Sequence, residues 1–154
     1  MKTAGIIAEY NPFHKGHEYQ IRYTKEKLKA DYVIVAMSGD YVQRGTPALI
    51  SKHARAEMAL RCGADLVLEM PVSISTASAE AFAMGGVSLL DSLGIVDILC
   101  FGSESGEISA LRELAEILVE EPKEYKKLLK SFSSCFQRPR AKSCAHTGMN
   151  SKHA

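Results

Sequence analysis

Residues 9–20, EYNPFHKGHEYQ, place two histidines three positions apart around a glycine. They follow TAGIIAE at 3–9, an apolar run of the kind found in strands covered on both faces. Pro12 has no N–H to give to a sheet and biases Asn11 towards an extended conformation, so the chain must turn there. A helical pattern resumes near His17, where the first amides of a helix lack intrahelical acceptors and the macrodipole favours an anion. Gly16 presents no side chain at the point where a phosphate would approach the backbone. His14 in the turn and His17 at the helix start can then converge on one phosphate, their imidazoles donating to oxygens that gain charge during attack at phosphorus. Two solvated turn histidines would carry the same spacing, and the pair alone does not choose between these readings. A zinc site is the weaker alternative, because His53 lies on a separate helical stretch, reads as a surface residue and brings no further ligand.

Beyond this turn, apolar runs recur at 32–37 (YVIVAM), 65–70 (DLVLEM) and 97–101 (DILCF). Helical stretches lie between them at 17–30, 51–62 and 76–93. Another comes after them in GEISALRELAEILVEE, where Ile108, Leu111, Leu114, Ala115 and Leu118 fall on one stripe. Ser51 and Thr76 stand where N-caps belong, Gly63 and Gly94 where helices end. Such alternation with right-handed crossovers predicts an α/β protein, an open parallel sheet with helices on both faces. Ligands of these sheets bind beyond the carboxyl ends of the strands, which singles out the loops 10–16, 38–50, 71–75 and 102–106. Residues 1–130 are expected to form this domain. Residues 131–154 lack periodicity, no acidic residue occurs after position 125, and an irregular, disordered tail is expected there.

The 154 residues amount to about one domain, and 46% apolar with 24% charged residues is ordinary for a globular chain. A net charge of +1 gives no global basic signal, and so no sign for or against nucleic acid. Cys62, Cys100, Cys135 and Cys144 form no CxxC pair, which argues against a zinc or redox motif and suits a reducing cytoplasm. No stretch nears the roughly 20 apolar residues of a membrane span, and the N-terminus lacks the pattern of a signal peptide. A cytoplasmic protein with no membrane partner is expected.

Asn11-Pro12-Phe13-His14-Lys15-Gly16-His17 after a strand resembles the DPxHxGH turn of the HIGH-type nucleotidyltransferase superfamily. With MSGDYVQRGTPALISKHARAEMAL (37–60), GADLVLEMP (63–71) and FGSESG (101–106), the chain is similar over residues 1 to about 130 to the tRNA(Met) cytidine acetate ligase family. The resemblance implies a Rossmann-like sheet and a reaction in two steps. Acetate attacks the α-phosphate of ATP to give acetyl-adenylate and pyrophosphate; the acetyl group then passes to N4 of the wobble cytidine of elongator tRNA(Met), giving N4-acetylcytidine. ATP, acetate and elongator tRNA(Met) are the implied ligands. Mg2+ is the expected cation on the phosphates, with no metal ligand assigned to the protein. The resemblance also implies the ATP-binding residues. These are Ile7, Ala8, Glu9 and Tyr10 at the strand's end, Asn11, Pro12 and Phe13 in the turn, and Gly102 after the fourth strand. The turn continues with His14, Lys15 and Gly16, and from the helix come His17, Glu18, Tyr19 and Gln20. His14 and His17 would be catalytic, acting on the phosphates.

Such a reaction is a positioning task more than an acid–base one, because carboxylate and triphosphate repel each other. Lys15, Arg44, Lys52 and Arg55 are candidate charges to offset that repulsion, although Lys52, His53 and Arg55 equally read as the exposed face of a helix. Ser38 and Gly39, with Gln43, Arg44 and Gly45, are candidates for a pocket that takes acetate or the cytosine edge; a solvated, glycine-punctuated connection is the other reading. Glu69 is either a buried structural carboxylate or a polar wall of the site. Two other functions fit the same motif: a small-molecule adenylyl- or cytidylyltransferase, and a non-catalytic nucleotide-binding remnant. Acetate ligases of this family run to well over twice the present length, and the superfamily carries a Ser/Thr-rich basic turn downstream of HxGH that has no counterpart here. SSCFQRPRAKSCAHTGMNSKHA (133–154) is unlike the segment that members of the family carry at this place, so a truncated form with a frame-shifted tail is expected. The tail's positive charges would give only salt-sensitive, sequence-independent RNA contacts.

Overall fold

Short apolar runs rich in β-branched side chains pair side by side, and the segments between them are long enough to cross over as helices. In the computed structural model, which describes residues 1–103 and 106–136 (backbone alone for 131–136), they form strands β1 (Thr3–Ala8), β2 (Tyr32–Ser38), β3 (Leu66–Met70) and β4 (Ile98–Leu99). The order across the sheet is β3-β2-β1-β4, and every pairing is parallel, with Ala4 opposite Val33 and Ile98 on its two sides. The chain divides into two compact units, residues 1–104 and a second beginning at 105. The first holds the sheet with α1 (Lys15–Glu26), α2 (Lys52–Arg61), the one-turn α3 (Val72–Ser75) and α4 (Ala79–Ser92). The second holds α5 (Ile108–Glu120) and α6 (Lys123–Phe136).

Side chains alternate across a strand, and the sheet is covered on both faces as expected. Ile6, Val33, Val35 and Met37 pack with Ile21 of α1 and Ala59 of α2. Ile34 and Ala36 point the other way, to Phe82 and Leu90 of α4, where Ile7 joins them. Each aliphatic side chain fully buried in this way stabilises the fold by about 1.5–3 kcal/mol. Two glycines let α4 approach β1 closely: a Cβ on Gly86 would stand 2.8 Å from Ile7, and one on Gly5 2.8 Å from Leu90.

The amino edge of the sheet carries a repeated device. Asp31, Asp65 and Asp97 each stand immediately before a strand, and each clasps the start of a neighbouring one. Asp97 donates its N–H to the Thr3 carbonyl (2.9 Å) and accepts the Thr3 N–H on Oδ2 (2.7 Å). Asp65 makes the same two bonds with Val33, and Asp31 with Lys2.

Several boundaries differ from the sequence expectation. α1 starts at Lys15 rather than 17, because His14 serves as its N-cap, a role usually taken by Ser, Thr, Asp or Asn. The helix expected over 76–93 starts later, at Ala79, after a separate turn of helix: Thr76 ends α3 rather than capping a helix start, and Ser78 caps α4 through its Oγ and the Ala81 N–H. Ser51 caps α2 as expected, and Gly63 and Gly94 follow helices with φ of +106° and +65°. Helix α6 runs to Phe136, into the segment expected to be irregular from 131, since apolar residues at 125, 128, 129 and 132 keep helical spacing across that point. The rest of that tail, 137–154, lies outside the described residues.

Candidate active site

The chain leaves β1 on one side to build β2 and β3, then returns to build β4 on the other. The crevice beyond the carboxyl ends of β1 and β4 is therefore a topological switch point, where open α/β sheets bind their ligands. A cleft of about 350 Å³ lies there. Ile7 through Pro12 line it from β1 and the turn, His14, His17 and Gln20 from the start of α1, and Phe101 and Gly102 from beyond β4.

The turn is held by rings. Tyr10, with φ of +49°, is buried, and its ring lies 4.8 Å from those of Phe13 and His17. His14 and His17 stack on each other at 3.7 Å. Each imidazole accepts a main-chain N–H on Nδ1, from Gly16 for His14 (3.1 Å) and from His14 for His17 (3.2 Å). A neutral imidazole that accepts at Nδ1 carries its proton on Nε2, so each ring keeps an Nε2–H to donate. Burial, and then the neighbouring His14, hold the pKa of His17 below the ordinary histidine value, which keeps this ring neutral at pH 7. Burial likewise raises the pKa of the Tyr10 phenol.

This reciprocal cap changes one expectation. The amides of the first turn were foreseen as open anion donors; those of Gly16 and His17 are occupied, by His14 Nδ1 and by the His14 carbonyl at 2.9 Å. The cause is the place of His14 at the N-cap, from which a side-chain acceptor reaches the first turn. Ring N–H groups, rather than those two amides, are what this corner offers to an anion. A Cβ on Gly102 would meet nothing within 4 Å, so the glycine preserves open space that a side chain would enter.

Behind the cleft Arg55 is completely buried. Its Nε donates to the Ile50 carbonyl (2.9 Å), and one terminal nitrogen to those of Glu9 (2.6 Å) and Ser38 (3.1 Å). The other terminal nitrogen donates to the Gly39 carbonyl. One guanidinium thus gathers the ends of β1 and β2 and the segment leading into α2. Burial pulls its pKa down, and Asp40, Glu9 and Glu69 push it back. The guanidinium stays charged, as arginine does in proteins. Two further bonds tie the loop after β2 to the turn: the Gln43 N–H to Glu9 Oε1 (2.9 Å) and the Leu49 N–H to Asn11 Oδ1 (2.7 Å).

Of the fourteen-residue stretch foreseen as the nucleotide site, Phe13 packs among the rings, while Lys15, Gly16, Glu18 and Tyr19 are exposed and do not line the cleft. Phe101 was not foreseen; its signal was its place at the end of the apolar run DILCF. The four candidate charges do not converge. Lys15 and Arg44 are exposed, Arg55 faces carbonyls, and Lys52 Nζ pairs with Glu69 (2.9 Å) and Asp40 (3.4 Å). The hydrogen bond to Glu69 is the main reason the pKa of Lys52 rises. His53 is exposed. Glu69, exposed rather than buried, joins Gly39, Asp40, Tyr41, Met70 and Val72 around a second cleft of about 230 Å³ beyond β2 and β3. Ser38 is buried, Gln43 half-buried, and Arg44, with φ of +64°, lines neither cleft. Cys62 and Cys100 are free thiols. Among the described residues no group of three or more His, Cys, Asp or Glu is placed to hold a metal ion, and no helix is long and apolar enough to cross a membrane.

Comparison with known proteins bears on the same cleft. The tRNA(Met) cytidine acetate ligase of Acetivibrio thermocellus is 54% identical over 130 residues, covering 84% of this chain and 31% of its own length. That of Thermoanaerobacter sp. strain X514 is 54% identical over 132 residues, covering 86% and 33%. The crystal structure of Thermotoga maritima TmcAL bound with alpha-thio ATP superposes with a TM-score of 0.78 at 50% identity, covering 88% of this chain and 33% of that one. The chain spans about one third of the length of the curated relatives it matches. The sequence model of the HIGH Nucleotidyl Transferase family matches residues 1–152. A match of that extent takes in the sheet, the histidine turn and both strand-end clefts together, and the chain belongs to the HIGH nucleotidyl transferase family.

Proposed function

We propose that this chain is the ATP-binding, acetate-activating part of a tRNA(Met) cytidine acetate ligase. The observation that carries the reading is the paired imidazoles at the switch-point cleft, both with Nδ1 occupied and Nε2–H free. ATP would lie with its phosphates against His14 and His17, its nucleoside near Gly102 and Phe101. An acetate oxygen attacks the α-phosphorus, the bond to the bridging oxygen breaks, and pyrophosphate leaves. Charge grows on the phosphate oxygens in that step, and preorganised N–H donors stabilise it there. Magnesium, when bound, supplies further neutralisation on the phosphates themselves, which suits a cleft whose own donors are imidazoles. In the second step cytidine N4 attacks the acetyl carbonyl, losing a proton as AMP departs. Elongator tRNA(Met) is the acceptor in this reading, and the cytoplasm the compartment.

The test is acetate-dependent exchange of labelled pyrophosphate into ATP. His14→Ala and His17→Ala should each lower the exchange rate by about 100- to 1000-fold, the worth of one positioned donor. Exchange untouched by both changes would overturn the reading. So would exchange that requires a pantetheine or nicotinamide nucleotide precursor in place of acetate, which would mark a small-molecule transferase.

A further inference from the structure

The second cleft carries chemistry that adenylate formation does not use. At its edge Lys52 Nζ sits 2.9 Å from both oxygens of Glu69 and 3.4 Å from Asp40. One cation between two carboxylates leaves the group with a formal charge of −1. That balance disfavours acetate and favours a ligand that brings donors. Each carboxylate has about four acceptor positions, so the lysine leaves several unused. Gly39 permits the arrangement, since a Cβ there would collide with the Glu69 carboxylate. Tyr41, half-exposed at the rim, offers a ring face of the kind on which unstacked RNA bases rest.

We propose that this cleft takes the Watson–Crick edge of the acceptor cytidine, with Asp40 and Glu69 accepting from the N4 amine and Lys52 donating to N3 or O2. The proposal rests on the acetate-ligase reading above and assigns the acceptor site within it. Carboxylates are the side chains that accept from cytosine N4, whereas uracil presents an acceptor, O4, at the same place. Position agrees with the chemistry. Arg55 donates both to Glu9, which lines the first cleft, and to Gly39, which lines the second. The two walls are therefore one guanidinium apart, on neighbouring strands spaced about 4.8 Å. A base seated in the second cleft stands beside a nucleotide seated in the first.

Titration of the 15N-labelled chain, followed by NMR, separates the two claims. Cytidine should shift the amides of Gly39, Asp40 and Tyr41, and uridine should bind about tenfold or more weakly. Glu69→Gln should weaken cytidine by about tenfold and Glu69→Lys should abolish its shifts, while ATP continues to move His17 and Gly102 in both variants. Equal binding of cytidine and uridine, shifts at Gly39–Tyr41 with acetate but not cytidine, or no response to cytidine would each overturn the acceptor-site proposal. Loss of the ATP response at Gly102 alone would instead sink the reading of the first cleft.

Discussion

At the amino edge of the sheet Asp31, Asp65 and Asp97 accept main-chain N–H groups, whereas at the carboxyl edge Arg55 donates to main-chain carbonyls. The opposition comes from strand direction. In an all-parallel sheet every strand begins at one edge with N–H groups in need of acceptors and ends at the other with carbonyls in need of donors. Anionic side chains suit the first edge and a cation the second. The two solutions differ in kind, however. The aspartate clasp is local, repeated from the residue before β2, β3 and β4. A local clasp at the carboxyl edge would fill the crevice where ligands bind, and there a single long side chain reaches in from α2 instead. Stability is thus distributed at one edge and concentrated at the other, and the concentrated edge is the one with the clefts.

The largest effect should come from removing that concentration. Arg55→Ala leaves the carbonyls of Glu9, Ser38, Gly39 and Ile50 without their donor, and should cost about 3–5 kcal/mol in urea unfolding. Arg55→Lys keeps the charge but collapses a five-donor fork to one point, so it should recover only part of the loss. An Arg55→Ala midpoint equal to the parent's would mean that water serves these carbonyls as well, and the contrast between the edges would vanish. Next in size, His14→Ala should cost about 2.7–4 kcal/mol in the barrier to adenylate formation. Its effect on stability should be only about 1 kcal/mol, the usual worth of an N-cap. A stability loss as large as the kinetic one would assign His14 to structure rather than to the ligand.

These asymmetries also explain which features the sequence disclosed. The strands were legible because β-branched runs at 3–8, 32–38 and 66–70 sit between two helical layers and need no alternation. Strand β4, expected over 97–101, is shorter than that run: it pairs with β1 only at Ile98 and Leu99, opposite Ala4 and Gly5. The histidine turn was legible as a motif, but its inner bonding was not, since imidazole is an uncommon N-cap. Arg55 was the clearest miss: it read either as a charge for the phosphates or as part of an exposed helix face, and it is neither. A signal existed in its spacing, four residues before the buried Ala59 and so on the inward stripe of α2. What periodicity cannot give is the acceptor, because the carbonyls of Glu9, Ser38 and Gly39 come together only once β1 and β2 have paired. The second cleft was hidden for the same reason, as Asp40, Lys52 and Glu69 meet from three separate segments.

Breaking one clasp at the distributed edge should do less. Asp97→Ala removes the acceptor of the Thr3 N–H at a partly solvated site, which should cost about 1–2 kcal/mol. Asp97→Asn, retaining an oxygen, should cost less than that. Neither change should alter ATP binding, measured calorimetrically, because the clasp lies at the opposite end of β1 from the switch-point cleft. A weakened ATP affinity in Asp97→Ala would show that the two edges are coupled through the strand and that the division drawn between them is too sharp.

The smallest effect is a pH dependence confined to the carboxyl edge. The pKa of His17 is lowered in the folded chain, by burial first and by His14 second. Below its ordinary value of about 6.5 the unfolded chain therefore binds more protons at this residue than the folded one. The linkage slope is then positive: the contribution is intact above pH 6.5 and is lost as the pH falls towards the folded-state value. Protonation would also remove the Nδ1 acceptor from the His14 N–H and open the cap. His17→Gln discards the titration yet supplies the residue type that completes a capping box at this position. Urea midpoints of parent and variant, compared from pH 7.5 down to 5.5, should diverge only below 6.5, with the parent losing more. Parallel curves would mean that the ring protonates as freely in the folded chain as in the unfolded one, and that burial and the reciprocal cap do not hold His17 in its neutral form.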